Sequence, residues 1–154
     1  MINTFTIKSA VLGIGLLAAT ATFAQKDKKK SDKNKFLEGK KYDVQFYDVK
    51  TTGRGKATPS DVTIKSGQVQ SELMTEKLTV PPIAYKVTVD SNYVEDDDSI
   101  HMVTFKCDFV EDKNEYKWEA TVKNYSIEGT CISLKSGVEK KRFEFEGEEK
   151  AKKK

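Results

Sequence analysis

From residue 36 onward, apolar and polar residues alternate with a period of two, which is the pattern of β-strands that bury one face. In the first run, Tyr42, Val44 and Phe46 alternate with Asp43 and Gln45. The pattern returns at residues 85–90, 103–109, 116–123, 132–134 and 143–145. Because strands of this kind recur along most of the chain beyond residue 36, the sequence predicts an all-β protein.

Turn-forming residues separate these runs, at Ser66-Gly67, Glu111–Asn114, Lys123–Tyr125 and Ser136-Gly137. Strands joined in sequence by short turns form an antiparallel up-and-down meander. A charged outer face on nearly every strand favours closure of that meander into a small barrel, which also removes exposed strand edges. A β-sandwich is the alternative architecture.

One segment has helical character. At residues 71–78, Ser71 is placed to cap a first turn, and Leu73, Met74 and Leu78 would face inward. Pro81-Pro82 would end any helix there. The sequence therefore predicts at most one short helix within the meander.

Four short motifs in the chain resemble those of a known family. They are Phe36–Gly39, Trp118–Val122, Ile127–Thr130 and Phe143–Gly147. In this order they are similar to the hairpins of small secreted bacterial lipocalin-like (calycin-type) β-barrel proteins, which have no assigned activity. The resemblance spans most of residues 36–147, and it implies a barrel domain there that holds a small apolar or amphipathic ligand.

The first 24 residues have the layout of a secretory signal peptide. Lys8 supplies the positive charge, residues 9–24 form an apolar run without an acidic residue, and small residues precede Gln25, where cleavage is expected. A permanent membrane anchor is the alternative, but it would need about 20 apolar residues. We therefore expect an exported protein, located in the periplasm or outside the cell.

Lysine-rich stretches at residues 25–35 and 148–154 flank the predicted barrel, whose residues 36–147 include 20 acidic and 16 basic side chains. Neither stretch contains a large apolar residue, so we expect both to be disordered. They either keep the protein soluble or make weak contacts with anionic membrane surfaces. Nucleic acid is not expected as a partner, because the chain is predicted to be exported and no aromatic residue is interleaved with the lysines. A monomer is expected.

The predicted inward face is rich in aromatic residues. An eight-stranded barrel is just wide enough either to fill itself with side chains or to hold one small ligand, and the sequence leaves both alternatives open. If a ligand binds, Trp118 and its aromatic neighbours would form the walls, with Tyr85 and His101 as polar contacts near the mouth. The predicted ligand-binding residues are Phe46, Tyr85, His101, Phe105, Tyr116 and Trp118.

We expect a protein that is not an enzyme and uses no cofactor. His101 is the only histidine, and no Ser, Thr or Cys has an activating motif around it. Two distant cysteines and one histidine do not supply a metal site. The acidic run Glu95–Asp98 is predicted to be a solvated hairpin tip, with a calcium site as the alternative, although it lacks the order of an EF-hand loop.

For Cys107 and Cys131, the predicted compartment favours a disulfide, whereas the predicted strand geometry does not. Export implies an oxidising environment, in which two cysteines are usually bridged. If the hairpin turns pair Cys107 with Trp118 and Trp118 with Ile132, however, the cysteines lie two strands and about 10 Å apart, beyond the roughly 7 Å limit for a disulfide. In this register Cys107 faces inward and Cys131 outward, and we expect unbridged thiols.

Two functions follow from these expectations. The first is an exported, non-enzymatic protein that binds a small apolar or amphipathic ligand inside the barrel. The alternative is a structural or interaction protein of the cell envelope with a solid core and no ligand pocket.

Overall fold

The computed structural model describes residues 33–151 of the 154-residue chain. The predicted signal peptide, most of the predicted 25–35 linker and the last three residues lie outside this range. Within it, no helix combines the length and the apolar character that crossing a membrane requires.

Eight antiparallel strands follow one another in sequence order and close into a barrel, because the last strand pairs with the first. The strands are β1 (Lys41–Lys50), β2 (Gly53–Lys65), β3 (Gln68–Ser71), β4 (Ile83–Glu95), β5 (Asp98–Glu111), β6 (Asn114–Lys123), β7 (Ser126–Lys135) and β8 (Val138–Glu149). Among the described residues one helix, α1 (Glu72–Leu78), joins β3 to β4. The predicted all-β up-and-down meander is confirmed.

Most hairpins close through two-residue turns at the positions that the sequence predicts. Ser66-Gly67, Asp96-Asp97 and Ser136-Gly137 have a positive φ at both residues, which is the signature of a type I′ turn. Asp112 and Asn124 supply a positive φ at the first turn position of two further hairpins. Such turns match the right-handed twist of the flanking strands, so local turn chemistry sets the register of neighbouring strands.

Two inward-facing glycines allow the sheet to curl tightly enough to close. A Cβ atom at Gly129 would lie 2.7 Å from the ring of Phe145 and 2.9 Å from the Cα atom of Ala120. A Cβ atom at Gly147 would lie 2.7 Å from the Cα atom of Val44. The missing side chains therefore let adjacent strands and an aromatic ring approach one another closely.

Side chains from the strands and from α1 fill the barrel interior. A side chain that lined a water-sized void would keep accessible surface on that void, but the central side chains are at most 1% exposed. These are Tyr42, Val44, Phe46, Val62, Ile64, Val69, Met74, Tyr85, Val103, Phe105, Cys107, Ala120, Val122, Ile127 and Cys131. In this conformation the core is packed, as in other protein interiors.

Residues 34–40, termed the closing segment, cover the barrel end at which β1 begins and β8 ends. Leu37 is fully buried in the core. The Glu38 carboxylate accepts hydrogen bonds from the backbone N–H groups of Ser66 and Gly67 at 2.7 and 2.6 Å. The closing segment is therefore anchored both in the core and on the β2–β3 turn.

Strand β8 continues to Glu149, two residues into the stretch that composition assigns to the basic tail. Lys40 Nζ lies 2.5 Å from the Glu149 carboxylate and donates to the carbonyl oxygen of Asn124 at 3.0 Å. Lys150 pairs with Asp43 on β1 at 2.5 Å. Cross-strand pairing and ion pairs thus order residues that carry no large apolar side chain.

Helix α1 covers the opposite end of the barrel. Its Leu73 and Met74 side chains are buried, as the sequence predicts. The cap differs from the expectation, because the Ser71 side chain makes no capping hydrogen bond. The Leu73 N–H instead donates to Ser60 Oγ on β2 at 3.0 Å, so a neighbouring strand supplies the acceptor that the helix start needs.

Candidate functional site

Five of the six predicted ligand-binding side chains are buried in the barrel, and the sixth, His101, is 29% exposed. They do not form one continuous wall. The Phe46 and Trp118 ring centroids lie 6.3 Å apart, and a second pair, Tyr85 and Phe105, has centroids 5.5 Å apart. The structure therefore divides the predicted set into two aromatic groups and a residue at the barrel end.

Trp118 on β6 occupies the centre of the first group. Its ring centroid lies 5.5 Å from that of Phe145, and its backbone pairs with Cys107 on one side and Cys131 on the other. The indole Nε1 donor is buried and has no hydrogen-bond partner. Most buried donors are satisfied, and an unsatisfied one costs about 1–3 kcal/mol. This N–H is therefore a polar group of the interior that is able to bind an acceptor.

Cys131 on β7 faces inward beside Trp118, so the expectation that it faces outward is wrong. The predicted pairing of Trp118 with Ile132 assumed a three-residue turn. In the structure Lys123 pairs with Ser126 across a two-residue turn. Because strand side chains alternate, this one-residue difference moves every β7 side chain to the other face of the sheet.

Both cysteines, Cys107 and Cys131, are thiols rather than half-cystines, as expected. They lie on either side of Trp118 in one row across three strands, and strand spacing places them about 10 Å apart. Cys131 Sγ lies 3.7 Å from Met74 Sδ on α1. Burial raises the pKa of the Cys131 thiol to about 12, and the nearby Trp118 indole opposes part of that rise without hydrogen-bond geometry. Cys131 and Met74 therefore give this part of the interior a neutral, polarisable wall.

Tyr85, predicted to contact a ligand at the barrel mouth, binds the closing segment in this structure. Its hydroxyl donates to Glu38 Oε1 at 3.1 Å and accepts from the Asn34 backbone N–H at 3.0 Å. These two hydrogen bonds attach the Tyr85 hydroxyl to the closing segment, which covers this end of the barrel.

His101 also contacts the closing segment. Its ring centroid lies 4.0 Å from that of Phe36, and its Nε2 lies 2.7 Å from Asp90 Oδ1. The Asn34 amide donates to the other Asp90 oxygen at 2.7 Å. Hydrogen bonds from His101 and then from Asn34 lower the pKa of Asp90. His101 thus helps to hold the cover of the barrel.

A second unpartnered polar group, which sequence reasoning missed as a site residue, is the hydroxyl of Tyr42 on β1. Burial, with a smaller contribution from Glu149, raises the pKa of this phenol. The alternation predicts that Tyr42 faces inward, but no local signal shows that its hydroxyl finds no partner there.

The shortest pairing in the barrel wall is that of β3 with β4. They pair only through Gln68 with Ala84 and Val69 with Ile83. By contrast, β1 and β8 pair continuously over residues 42–48 and 143–149. The stretch that includes α1 connects these two short-paired strands along the chain.

The far end of α1 reaches β6. The Tyr116 hydroxyl lies 3.4 Å from the carbonyl oxygen of Leu78, and the Tyr116 ring stacks on Phe109 with centroids 6.1 Å apart. Together with the hydrogen bond to Ser60 on β2, this contact makes α1 span the barrel end from β2 to β6. Tyr116 therefore supports the helix and lies at the edge of the aromatic interior.

The acidic run Glu95–Asp98 forms the exposed tip of the β4–β5 hairpin, with Asp96 and Asp97 as its turn residues. Within residues 33–151, no group of three or more His, Cys, Asp or Glu side chains is arranged to hold a metal ion. All four residues are exposed to solvent, and the calcium site stays an untested alternative.

The lipocalin-like resemblance rests on the motifs of the sequence alone. No protein-family model matches the chain, and neither a curated protein nor a solved structure matches it. The structure therefore shows the fold, and membership of the lipocalin-like family stays a prediction.

Proposed function

We propose that this chain is an exported, non-enzymatic protein that binds one small, mainly apolar or amphipathic molecule inside its β-barrel. The observation that supports this proposal most strongly is the buried, unpartnered Nε1–H of Trp118. An acceptor on a bound molecule would remove the cost of that unsatisfied donor, which is about 1–3 kcal/mol. The surrounding aromatic and sulfur-containing side chains would contact the apolar part of the molecule.

Binding requires the interior to make room, because Met74 and Cys131 are almost fully buried in the packed barrel. Met74 is the side chain best suited to give way, since methionine is unbranched and adapts to irregular spaces. It also lies on α1 rather than on a barrel strand. Its burial stabilises the closed barrel by about 1.5–3 kcal/mol, which a ligand of moderate affinity is able to offset.

The test is extraction of natively purified protein, followed by mass spectrometry of the extract. We expect a small organic molecule in about equimolar amount from the wild type. Trp118→Phe keeps an aromatic ring but removes the N–H donor, so it should retain much less of the same molecule. An empty extract, together with Trp118 emission that ignores a panel of apolar molecules, would refute the proposal.

A second candidate function is a structural or interaction protein of the cell envelope with a solid core. The near-complete burial of the inward side chains favours it. On this account the lysine-rich ends, residues 25–35 and 150–154, contact anionic membrane surfaces by electrostatic attraction. Co-sedimentation with anionic vesicles that weakens in salt and is lost when residues 25–32 and 152–154 are deleted would support this function, whatever the interior binds.

A further inference from the structure

Helix α1 is attached to the barrel end by few polar contacts. At its first turn the Leu73 N–H donates to Ser60 Oγ at 3.0 Å, and at its last residue the Tyr116 hydroxyl reaches the Leu78 carbonyl at 3.4 Å. The second distance is long for an O–H···O hydrogen bond. The remaining attachment is the burial of Leu73 and Met74, the packing of Leu78 against the core and the contact of Met74 with Cys131. A short helix held in this way is able to open locally while the long strand pairings stay intact.

The part of the core that α1 covers has the two features that a ligand site needs, an apolar side chain that is able to move and a hydrogen-bond donor. Met74 reaches Cys131 across 3.7 Å, and the backbone partner of Cys131 is Trp118, with its unpartnered Nε1–H. Movement of α1 would withdraw the Met74 side chain and leave an apolar space, lined by polarisable side chains, beside that donor. Displacement of one side chain therefore converts a packed core into a site with a single polar anchor.

The charge of this interior restricts what it accepts. Among the described residues, no Lys, Arg or His side chain belongs to the buried core, and Ser71 is its only buried residue of the polar or charged classes. A carboxylate placed there would lose its hydration without gaining a cationic partner, which is strongly unfavourable. A ketone, aldehyde, ester or ether accepts a hydrogen bond from an indole N–H without that penalty.

We infer that the ligand site lies behind α1, that α1 is the element that moves to admit the ligand, and that the ligand is a neutral apolar molecule with a hydrogen-bond acceptor. This inference rests on the proposed function, because it names the way in and the ligand class of the same interior.

The two buried cysteines provide a matched test of the movement. Cys107 and Cys131 are almost equally buried and both lie next to Trp118, and Cys131 Sγ lies 3.7 Å from Met74 Sδ of α1. In the single-thiol variants Cys107→Ala and Cys131→Ala, modification by iodoacetamide is followed by intact-mass spectrometry under native conditions. We expect the Cys131 thiol to react at least tenfold faster than the Cys107 thiol. Equal rates would mean that both thiols react only through global unfolding, and would overturn the inference.

A substitution at the attachment point of α1 sharpens this test. Ser60→Ala removes the acceptor of the Leu73 N–H, so it should raise the modification rate of Cys131 several-fold and leave that of Cys107 unchanged. Thr88→Ala is the control, because its hydroxyl contacts the Thr104 carbonyl on the outside of the β4–β5 pair. An equal effect of both substitutions on both thiols would contradict a role for α1.

Hydrogen exchange on the unaltered chain gives the same information without a variant. The N–H groups of Thr79 and Val80 donate to the carbonyl groups of Thr75 and Met74 at 3.1 and 3.3 Å. We expect these amides to exchange at least tenfold faster than the paired amides of β1 and β8. Equal protection of the two sets would overturn the movement of α1.

The ligand class is tested with two probes of equal chain length, 2-decanone and decanoate, at pH 8. We expect 2-decanone to slow the modification of Cys131 at least threefold and decanoate to have no effect. Equal or stronger protection by decanoate would overturn the neutral ligand class. Fast modification of Cys131 that neither probe slows would support the movement of α1 but overturn the proposed ligand binding, so the two failures are distinguishable.

Discussion

The hydroxyl of Tyr85 donates a hydrogen bond of 3.1 Å to Oε1 of Glu38, and this contact joins the barrel wall to the segment that closes it. The same carboxylate also accepts the backbone N–H groups of Ser66 and Gly67. One side chain thus ties together the closing segment, the β2–β3 turn and β4.

Glu38→Ala should therefore destabilise the fold. The substitution leaves two backbone donors and a tyrosine hydroxyl without this acceptor, and we expect the free energy of unfolding to fall by about 2 kcal/mol. Urea unfolding measures the change. Glu95→Ala is the control, because Glu95 lies at the exposed tip of the β4–β5 hairpin. A Glu38→Ala variant as stable as the Glu95→Ala control would mean that the carboxylate does not hold the closing segment in place.

Met74→Ala should also destabilise the barrel, through the loss of the side chain that α1 inserts into the core. Large-to-small substitutions at buried methionines cost about 2–5 kcal/mol. Glu76→Ala on the exposed side of the same helix is the matched control, and urea unfolding compares them. A cost below about 0.5 kcal/mol, typical of surface substitutions, would show that Met74 is not part of the packed interior.

The stability of the protein should fall in alkaline solution. The folded state raises the pKa of Cys131 from 9.0 to about 12, so the thiol stays neutral when folded but ionises when the chain unfolds. Its contribution is complete below pH 9 and is lost as the pH rises towards 12, at no more than about 1.4 kcal/mol per pH unit. Urea unfolding at several pH values from 8 to 11 measures the slope.

Substitutions test whether the Cys131 thiol causes this fall of stability with pH. Cys131→Ala should reduce the alkaline loss of stability, whereas Glu95→Ala, at the exposed tip of the β4–β5 hairpin, retains the Cys131 thiol and should show the wild-type dependence. The raised pKa of Tyr42 acts in the same direction, so some loss should persist in Cys131→Ala. Identical slopes for all three proteins would contradict the burial of the Cys131 thiol.

Gly129→Ala should be more damaging than the size of a methyl group suggests. The new Cβ would overlap the Glu119 carbonyl oxygen and lie 2.9 Å from the Cα of Ala120, and these backbone atoms cannot move aside separately. We expect a loss of about 1–3 kcal/mol, as for other overpacked cores. Gly137→Asn is the control, because a Cβ there meets no atom within 4 Å and Asn tolerates a positive φ. Equal thermal midpoints for the two variants would refute the close approach at Gly129.

The strands and most turns were predictable from the sequence because their signals are local. Alternation identifies a half-buried strand without knowledge of its partner, and pairs such as Ser136-Gly137 form a tight turn almost regardless of context. The pairing of Cys107 with Trp118 followed from the position of the Glu111–Asn114 turn and is confirmed. The inward orientation of Cys131 did not follow, since a turn one residue shorter than assumed reverses the face of every residue in the next strand.

The covers at the two barrel ends were not predictable, because their contacts join residues far apart in sequence. Nothing near Glu38 indicates that it accepts the hydroxyl of Tyr85, 47 residues away. Nothing near Leu73 indicates that Ser60 rather than Ser71 accepts its N–H. Burial of the Trp118 ring follows from alternation, whereas the lack of a partner for its Nε1 depends on the whole interior.

The most direct test of ligand binding beside Trp118 is the indole N–H resonance in a two-dimensional nitrogen–proton NMR spectrum. Trp118 is the only tryptophan in the chain, so the protein has a single indole signal. On addition of 2-decanone we expect this signal to move downfield in a saturable manner, because the N–H gains an acceptor, while decanoate leaves it in place. An indole signal that stays unchanged with saturating 2-decanone and with every other neutral apolar molecule tested would contradict a ligand site at Trp118.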